Sequence, residues 1–548
     1  MKKKFLRAAS LFFALTLALT GCGGAGKPAD NKEAAQVATP QVNKIVGYTQ
    51  AEPATLDPAK AQGTHESYPI QHLFCGLTVE AEDGSTQLAL ADKIDVSDDG
   101  LKYTIKLKPD LKWSDGKPLT AADFEYSWKR VLNPKTNAYY AYNLYYIKGG
   151  EAYNTGKGSE DDVAVKAVDD TTLEVELEKP TAFFESLIGF YTYYPVQKEL
   201  DMANPDWALD PKTFVSNGAF MLTDWQHNSK ITMVKNPNFY NADKVSVEGL
   251  DFDVLEDMTT AYNRYAAGDY NMLVTVPPAV VGQLADEKSD ELKIGKELGV
   301  YYYNLNTSVK PLNNVKVRQA LSLAIDREVL TSNITKGGEM PATSIVPPGI
   351  LDDQGKDFTE ANKVIKTDVE QAKKLMEEGL KEEGMSKEDV NITILYNTEE
   401  KHKLIAQAIQ QMWNQNLGIQ VGLENVEFKV KLDREKAGDF QVSRAGWIGD
   451  YQDPMTFMDL WVTGGSFNDV KYSNPEYDKL IEEAKSTTDQ KVRMDDMKKA
   501  EKMILDDMAI IPIYFYTQPY LVKPNVTGIY KPITNYPILT YAKVNLGK

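Results

Sequence analysis

One stretch of the sequence gathers the residue types that a ligand site needs. Residues 444–454 (RAGWIGDYQDP) combine glycines, aromatic side chains and both signs of charge, with Arg444 and Asp450 six positions apart. A glycine such as Gly446 lets a ligand approach the backbone, and the indole of Trp447 can cover a pocket. The pattern is too irregular for an ordinary helix or strand, so it is the first candidate for a site.

No pattern typical of a catalytic centre accompanies this stretch. The sequence contains no nucleophile elbow, P-loop, dinucleotide-binding glycine pattern or HExxH pattern. Its four histidines are scattered, and no spacing of cysteine and histidine suggests a metal site. Carboxylate pairs carry no weight among 79 acidic residues. We therefore expect a protein that is not an enzyme and that needs no cofactor or metal ion.

The N-terminus has the pattern of an export signal. Lys2, Lys3, Lys4 and Arg7 precede a short apolar run that ends in LTGC at Cys22. This end resembles the bacterial lipobox, so we expect residues 1–21 to be a signal peptide and Cys22 to be lipidated. Residues 22–42 are rich in Gly, Ala and Pro, which predicts a flexible tether. The alternative is an ordinary signal peptide with an incidental cysteine.

The composition and net charge of the chain disfavour some classes of binding partner. With 548 residues the chain is too long for one core, and 42% hydrophobic residues are typical of globular proteins. Its net charge of −18 disfavours nucleic acid and anionic lipid surfaces, since both attract clustered Lys and Arg. Cys75, the second cysteine, lies among apolar residues and is expected to fill the core.

The segments around the candidate site alternate between helix and strand patterns, which predicts a mixed α/β protein. Residues 402–417 have apolar positions at helical spacing and end at Gly418, and residues 419–423 follow with a strand pattern. A helix, a glycine and a strand in this order indicate a βαβ crossover and a partly parallel sheet. Further strands are predicted at 44–51, 102–108, 171–179 and 510–516, and further helices from Thr120 and over 317–330.

Five blocks along the chain carry a family resemblance. They are 56–58 (LDP), 113–130 (WSDGKPLTAADF to WKR), 215–240 (VSNGAF to KNPNFY), 317–327 (VRQALSLAIDR) and 445–454 (AGWIGDYQDP). In this order they resemble the peptide-binding family of solute receptors that serve ABC importers, and its oligopeptide-binding members above all. The residues outside the last block have structural explanations. Asn217-Gly218 predicts a tight turn, and Arg318, Asp326 and Arg327 predict ion pairs on a helix surface or between domains.

The resemblance implies an α/β fold of the large periplasmic-binding-protein type II, with two lobes around a ligand cleft and an additional domain. The resemblance also implies three domains. They are a discontinuous domain I (43–76, 200–299 and 516–548), a domain II (77–199) and a domain III (300–515).

The resemblance also implies roles for individual residues. Asp450 matches the aspartate that holds a peptide's α-ammonium, and Arg444 matches an arginine that can meet a ligand carboxylate. His402 matches a histidine associated with the C-termini of longer peptides. Residues 445–448 are expected to be the strand that pairs with the ligand main chain, which brings in Gly446, Trp447 and Ile448. Two more are expected at the cleft: Tyr140 closing it, and Phe428 where relatives often have a pocket-lining tryptophan.

Each assignment has a structural alternative. Asp450 can cap a turn, Arg444 can form an internal ion pair, and His402 can be a solvated residue near a helix N-terminus. The tyrosines around Tyr140 can be core or interface packing.

The expected function is a lipid-anchored extracytoplasmic receptor that binds short peptides and delivers them to the permease subunits of an ABC importer. We expect a monomer, tied to the membrane through lipid on Cys22, with no nucleic-acid partner. Other readings stay open: a receptor of the same fold for dipeptide, nickel, haem or oligosaccharide, a surface lipoprotein that senses peptide pheromones, or a surface hydrolase.

Overall fold

Three sheets of four or more strands carry the fold in the part of the chain that the computed structural model describes, namely residues 43–49, 52–61, 63–82, 84–465 and 467–546. The predicted signal peptide, the tether and Cys22 lie outside these residues. Residues Asn43–Lys548 form one compact unit. None of the described helices is both long enough and apolar enough to cross a lipid bilayer.

The strands are numbered in chain order. They are β1 (Lys44–Thr49), β2 (Thr78–Glu80), β3 (Thr86–Leu88), β4 (Ala91–Val96), β5 (Lys102–Leu107), β6 (Val165–Asp169), β7 (Thr172–Glu176), β8 (Phe220–Gln226), β9 (Lys230–Lys235), β10 (Gly249–Val254), β11 (Met272–Leu273), β12 (Leu292–Leu305), β13 (Met340–Pro341), β14 (Asn391–Asn397), β15 (Gln420–Val426), β16 (Val442–Ile448), β17 (Ile510–Val522), β18 (Val526–Thr527) and β19 (Lys543–Val544).

The α-helices are numbered in the same way, and short 3-10 turns lie between them. They are α1 (Thr64–Leu73), α2 (Ala121–Leu132), α3 (Gly150–Asn154), α4 (Phe184–Leu187), α5 (Lys198–Ala203), α6 (Met258–Ala267), α7 (Pro278–Asp286), α8 (Val315–Leu323), α9 (Arg327–Val329), α10 (Val369–Glu383), α11 (Glu400–Leu417), α12 (Phe428–Ala437), α13 (Met455–Met458), α14 (Pro475–Ser486) and α15 (Gln490–Asp507).

The strand orders confirm the mixed α/β prediction. One sheet runs β1-β10-β9-β8 and a second runs β4-β5-β7-β6. The third runs β11-β17-β12-β16-β14-β15, with β13 attached to β17, and it contains the candidate site. The predicted domain boundaries at 299/300 and 515/516 fall inside β12 and β17. Both are long strands that pair with each other, and the division into domains stays a prediction.

The predicted βαβ crossover is confirmed in the third sheet. Strand β14 pairs with β15 in parallel, and α11 connects them. The helix ends at Leu417 because Gly418 takes the left-handed conformation (φ 71°), which glycine adopts at little cost. The helix predicted from Thr120 is also confirmed, since the Thr120 amide donates to the Asp123 carboxylate (2.8 Å) in a capping box.

Two predictions about the block 317–327 are wrong. The helix expected over 317–330 ends at Leu323, and α9 starts anew where the Asp326 carboxylate accepts a hydrogen bond from the Val329 amide (3.0 Å). A π-helix over Leu330–Thr335 follows. The short polar side chain of Asp326 competes with the continuing helix for backbone donors, and so it starts a new one.

The arginines of this block are buried, and they do not form the expected ion pairs. Arg318 donates to the carbonyl oxygen of Asp507 from two nitrogens (2.9 and 2.6 Å). Arg327 is 3% exposed and donates to the Pro512 carbonyl (2.7 Å) and to both oxygens of Ser322. Burial lowers the pKa of Arg327 to about 9. Both guanidiniums therefore donate to backbone carbonyl oxygens instead of pairing with carboxylates.

We expect Arg327→Met to lower the free energy of unfolding by about 2–4 kcal/mol. The change leaves buried carbonyl oxygens without donors, and each unsatisfied group costs about 1–3 kcal/mol. Urea denaturation followed by circular dichroism measures the loss. The control is Arg264→Met. The Arg264 side chain is 41% exposed and pairs with Asp253, so its replacement should cost below about 1 kcal/mol. Equal losses in the two variants would contradict the assignment.

Candidate ligand-binding site

The strand predicted over 445–448 is confirmed as the end of β16 (Val442–Ile448), and the chain turns only afterwards. One edge of β16 is antiparallel to β12 along its whole length. The other edge pairs with β14 only at Val442 and Ser443. Among the described residues, 444–448 therefore present an edge that no neighbouring strand covers, and such an edge can bind an extended segment.

Gly446 has a local structural partner. A Cβ atom there would lie 2.5 Å from the hydroxyl oxygen of Tyr516. That oxygen accepts a hydrogen bond from Nη2 of Arg444 (3.1 Å). The glycine thus leaves room for a tyrosine that orients Arg444, whereas the sequence suggested room for a ligand. Ile448, at the end of the strand, is 38% exposed.

Arg444 lies in an aromatic setting. Its guanidinium carbon is 4.8 Å from the ring centroid of Tyr301, and its Nε atom is buried without a hydrogen-bond partner. The nearby carboxylate of Glu399 pairs instead with His402. Among the described residues, no salt bridge within 4 Å involves Arg444, so the structure does not support the internal ion pair. A cation in this state can bind a carboxylate.

His402 is buried, so the alternative of a solvated helix residue is wrong. It is 5% exposed, its Nε2 atom is 2.6 Å from the Glu399 carboxylate, and its Nδ1 atom is 3.4 Å from the Tyr301 hydroxyl. Burial lowers the pKa of His402, and the hydrogen bond to Glu399 opposes that effect. His402 therefore shares Tyr301 with Arg444, and its contact with a ligand stays a prediction.

Asp450 follows β16 in a turn that other residues hold. Its amide donates to Oγ1 of Thr456 (3.2 Å), and the Trp447 indole donates to the same oxygen (3.2 Å). The carboxylate that caps the turn is that of Asp453, which accepts from the Met455 amide (2.9 Å). The turn-capping role considered for Asp450 thus belongs to its neighbour, and the Asp450 carboxylate is left for other contacts.

Asp450 is half-buried, and its carboxylate has no cationic partner among the described residues. Burial and, next, the Asp459 carboxylate raise its pKa, a hydrogen bond with the Tyr142 hydroxyl opposes them, and the resulting pKa is about 7. Asp459 has its own partner in Lys485 (3.1 Å). Among the described residues, no salt bridge reaches Asp450. A shielded carboxylate in this state gains most from a cationic ligand group.

A wall of tyrosines faces Asp450. Tyr140 packs against Tyr142 (ring centroids 5.7 Å apart) and Tyr191 (5.8 Å). Burial raises the pKa of each of these tyrosines, and the Asp450 charge contributes to the rise. Tyr140 thus belongs to the recess around Asp450, and its closing role stays a prediction.

Trp447 connects β16 to this wall. Its ring is 5.0 Å from that of Phe467, which is 6.3 Å from that of Tyr142. The three rings bridge the third sheet and the tyrosine segment above the carboxylate. Trp447 thus lies in one aromatic chain with Tyr142, and its role in covering the recess stays a prediction.

Comparison with known proteins identifies the family. Residues 85–469 match the family described as "Bacterial extracellular solute-binding proteins, family 5 Middle". The chain belongs to family 5 of the bacterial extracellular solute-binding proteins. The resemblance drawn from the five blocks is thereby confirmed, and so is the two-lobed fold that it implied.

Three relatives show how far the family likeness extends. Oligopeptide-binding protein OppA of Bacillus subtilis (strain 168) is 40% identical over 97% of this chain and 98% of its own length. Dipeptide-binding protein DppE of the same organism is 38% identical over 99% of both. The solved structure of Listeria monocytogenes OppA bound to peptide has a TM-score of 0.76 and 33% identity, and covers 92% of this chain and 99% of that chain.

Phe428 lies at a more open place in this family 5 protein. It begins α12 and is 54% exposed, with the Lys431 ammonium 5.9 Å from its ring. Lys431 forms a buried ion pair with Glu435 (2.6 Å). Phe428 is therefore an exposed residue beside a buried ion pair, and its pocket-lining role stays a prediction.

Sequence reasoning missed several residues that shape the family 5 site. Thr456 anchors the turn, Tyr516 orients Arg444, Asp459 raises the pKa of Asp450, and Phe467 completes the aromatic bridge. Only the short separation of Asp459 and Thr456 from Asp450 along the chain could have pointed to them. Tyr516 comes from another strand, so no local pattern predicts its contact.

Proposed function

We propose that this family 5 protein binds short peptides outside the cytoplasm and delivers them to the permease of an ABC importer. The half-buried Asp450 carboxylate, which has no cationic partner among the described residues, carries the proposal, because a free peptide supplies an ammonium of matching charge. Arg444, with no carboxylate partner among the described residues, suits the opposite end of a zwitterion. The names of OppA and of its peptide-bound Listeria relative support peptide as the ligand.

The peptide main chain would run beside β16. Its backbone groups would bond the open edge at 444–448, a contact that reads no side chain and so tolerates many sequences. The strand part of this stretch, residues 444–448, is about 13 Å long at 3.3 Å per residue, and the turn to Asp450 follows it. Peptides of about four residues or more would reach from the Asp450 end to Arg444. Closure around the ligand would then favour the form that the permease recognises.

Calorimetry with a random pool of short peptides tests the binding step, using protein freed of ligand by unfolding and refolding. We expect heat of binding from the pool and none from a pool whose peptides are acetylated at the N-terminus. Deletion of the gene should abolish uptake of a labelled pentapeptide by the host cells. Unchanged uptake together with intact binding would favour a peptide-sensing lipoprotein instead.

Arg444→Gln should weaken peptide binding roughly tenfold, provided that the peptide is long enough to reach residue 444. The reason is that the ligand carboxylate loses its charged partner. Titration of tri-, tetra- and pentaalanine, each with a free or an amidated C-terminus, measures the loss. Amidated peptides should bind the wild type and the variant alike. Tyr516→Phe is the matched control, since it removes the hydrogen bond to Arg444 but keeps the charge. A loss independent of amidation would contradict the role.

A dipeptide receptor is the second candidate, and the likeness to DppE favours it. A dipeptide anchored at Asp450 could not extend along the strand to Arg444. Competition between dialanine and pentaalanine separates the two functions, because tighter binding of dialanine would assign the chain to dipeptides. Nickel, haem and oligosaccharide stay open as ligands, and they lack the ammonium that suits Asp450.

The anchor is part of the proposal. Cys22 in LTGC would carry the lipid that holds the receptor at the membrane. We expect Cys22→Ser to release most of the protein from the membrane fraction while peptide binding is unchanged. Immunoblotting of membrane and soluble fractions measures the release, and a variant that stays fully in the membrane fraction would contradict lipidation there.

A further inference from the structure

A buried arginine binds the turn that follows β16. Arg493, on α15, donates from Nη1 to Oδ2 of Asp453 (2.7 Å) and from Nη2 to Oδ1 (2.5 Å). The two side chains are 2% and 8% exposed. A planar guanidinium that bonds both oxygens of a carboxylate fixes the direction of that carboxylate as well as its position. The pair thus holds a residue only three positions after Asp450.

Asp453 in turn shapes the chain on both sides of itself. Its amide donates to the Tyr451 carbonyl (2.9 Å), and its Oδ1 atom accepts from the Met455 amide (2.9 Å). The carboxylate that Arg493 orients is therefore the one that caps the turn. If this carboxylate rotated away, the Met455 amide would lose its acceptor and the backbone of the turn could shift.

Arg493 also reaches the turn through two aromatic rings. Its guanidinium carbon is 5.4 Å from the ring centroid of Phe183, a distance at which a cation is attracted to an aromatic ring. The Phe183 ring stacks on that of Tyr451, with centroids 4.3 Å apart and planes 8° from parallel. Because Tyr451 directly follows Asp450, this second route ends next to the site proposed for the peptide ammonium.

The contacts of Arg493 affect the shape of the site more than its charge. Burial lowers the pKa of Arg493, but chiefly the Asp453 carboxylate raises it above its usual value. The neighbouring charge that raises the pKa of Asp450 belongs to Asp459. Both Nη atoms of Arg493 are bonded to Asp453, and Asp450 is left for a cation of the ligand.

We propose that Arg493 is a positioning residue for peptide binding. By holding Asp453 and the Phe183 ring, it fixes the turn that aims the Asp450 carboxylate at the α-ammonium of the peptide. A charge-assisted hydrogen bond weakens steeply when its length or angle departs from the ideal. A looser turn would therefore weaken the ammonium contact while the contacts along β16 remain. The inference rests on the proposed role of Asp450.

The test measures how strongly the ammonium is recognised, as the ratio of the dissociation constants of N-acetylated and free pentaalanine. We expect a ratio of roughly a hundredfold in the wild type. Arg493→Lys keeps the positive charge but loses the planar fork, and it should lower the ratio to about tenfold or less. The fall should come from weaker binding of the free peptide. Binding of the acetylated peptide should change little, because its main-chain contacts along β16 remain.

A second variant removes the ion pair without leaving a buried charge unpaired. Arg493→Met combined with Asp453→Asn keeps a side-chain oxygen that can accept from the Met455 amide. It should lower the ratio to a similar value, because nothing then orients that oxygen. Thermal unfolding shows which variants are folded, and the double variant replaces Arg493→Lys if that one is not.

The matched control is Arg130→Lys. The Arg130 side chain is 8% exposed and also bonds both oxygens of a buried carboxylate, that of Asp57 (3.0 and 2.6 Å). Its other carboxylate partner is Asp201, so it shares neither Asp453 nor Phe183 with Arg493. The same substitution there should lower the melting temperature but leave the ratio at roughly a hundredfold.

A ratio that stays at the wild-type value in the folded Arg493 variants would overturn the positioning role and leave the ion pair a purely structural one. An equal fall in Arg130→Lys would also overturn it, because any loosening of the fold would then act alike. If neither Arg493 variant folds, the ion pair is structural and the proposal falls. A wild type that binds both peptides equally would contradict the ammonium role of Asp450 itself, and a wild type that binds neither would contradict the receptor function.

Discussion

Replacing Asp450 by asparagine is expected to weaken the binding of a free pentapeptide roughly a hundredfold. The change keeps the shape of the side chain but leaves the ligand ammonium in a shielded recess without a charged partner. Losing one member of a buried, hydrogen-bonded charge pair costs about 2–5 kcal/mol. Isothermal titration at pH 7.5 with wild type and variant measures the ratio of the dissociation constants.

The same change should not destabilise the ligand-free protein. The pKa of Asp450 is raised to about 7 in the folded state, so the folded protein holds its proton more tightly than the unfolded chain does. Stability from this group is therefore present below pH 4 and lost as pH rises toward 7. Asparagine does not ionise, so the variant avoids this loss of stability. Its melting temperature at pH 7.5 should therefore equal or exceed that of the wild type. A large fall would point to a structural role for Asp450.

Asp459→Asn is the matched control for the binding experiment. It removes a neighbouring carboxylate that pairs with Lys485 and leaves Asp450 in place. We expect it to change peptide affinity at pH 7.5 less than threefold. A loss as large as that of Asp450→Asn would mean that the acidic cluster as a whole, and not one carboxylate, attracts the ligand.

Acid should weaken peptide binding by about tenfold per pH unit below pH 7. Only the ionised Asp450 can pair with an ammonium, and burial raises the pKa of this carboxyl to about 7. The free carboxyl is therefore increasingly protonated as pH falls. Above about pH 8 the peptide ammonium loses its proton, since its own pKa is about 7.7–8.0. Affinity should thus be greatest near pH 7–8 and about a hundredfold weaker at pH 5.

Two measurements check this pH dependence. Titrations at pH 6 in buffers of different ionisation enthalpy should show release of close to one proton per peptide bound. In Asp450→Asn the affinity should be nearly flat between pH 5 and pH 7. In Asp459→Asn the fall of affinity in acid should begin at a lower pH, because the Asp459 charge helps to raise the pKa of Asp450. A steep acid limb that persists in Asp450→Asn would assign the titration to another group, such as Asp469.

The parts of the fold that the sequence predicts well are those set by neighbours along the chain. The capping box at Thr120 and the glycine that ends α11 act over a few residues, so their patterns are visible without tertiary structure. The motif around Asp450 was also visible, because glycines, aromatics and charges crowd into eleven residues. The strand predicted over 445–448 is confirmed, and the structure added that it begins three residues earlier, at Val442.

The errors came from contacts between distant segments. Arg327 was expected in an ion pair, yet its partners are a carbonyl of β17 and Ser322. Tyr516 from β17 occupies the space beside Gly446, a contact that the sequence did not predict, and the ligand role of Gly446 stays a prediction. A sequence pattern states the charge and size of a side chain but not which distant strand will face it, so such partners escape prediction.

The central claim is that Asp450 holds the α-ammonium of a peptide, and N-terminal acetylation in a double-mutant cycle tests it most directly. Free and acetylated pentaalanine are titrated into the wild type and into Asp450→Asn. Relative to free pentaalanine bound by the wild type, we predict that acetylation alone and the mutation alone each weaken binding roughly a hundredfold. The two changes together should weaken it little further. Losses that multiply, or a variant that still distinguishes the acetylated from the free peptide as strongly as the wild type does, would contradict the claim.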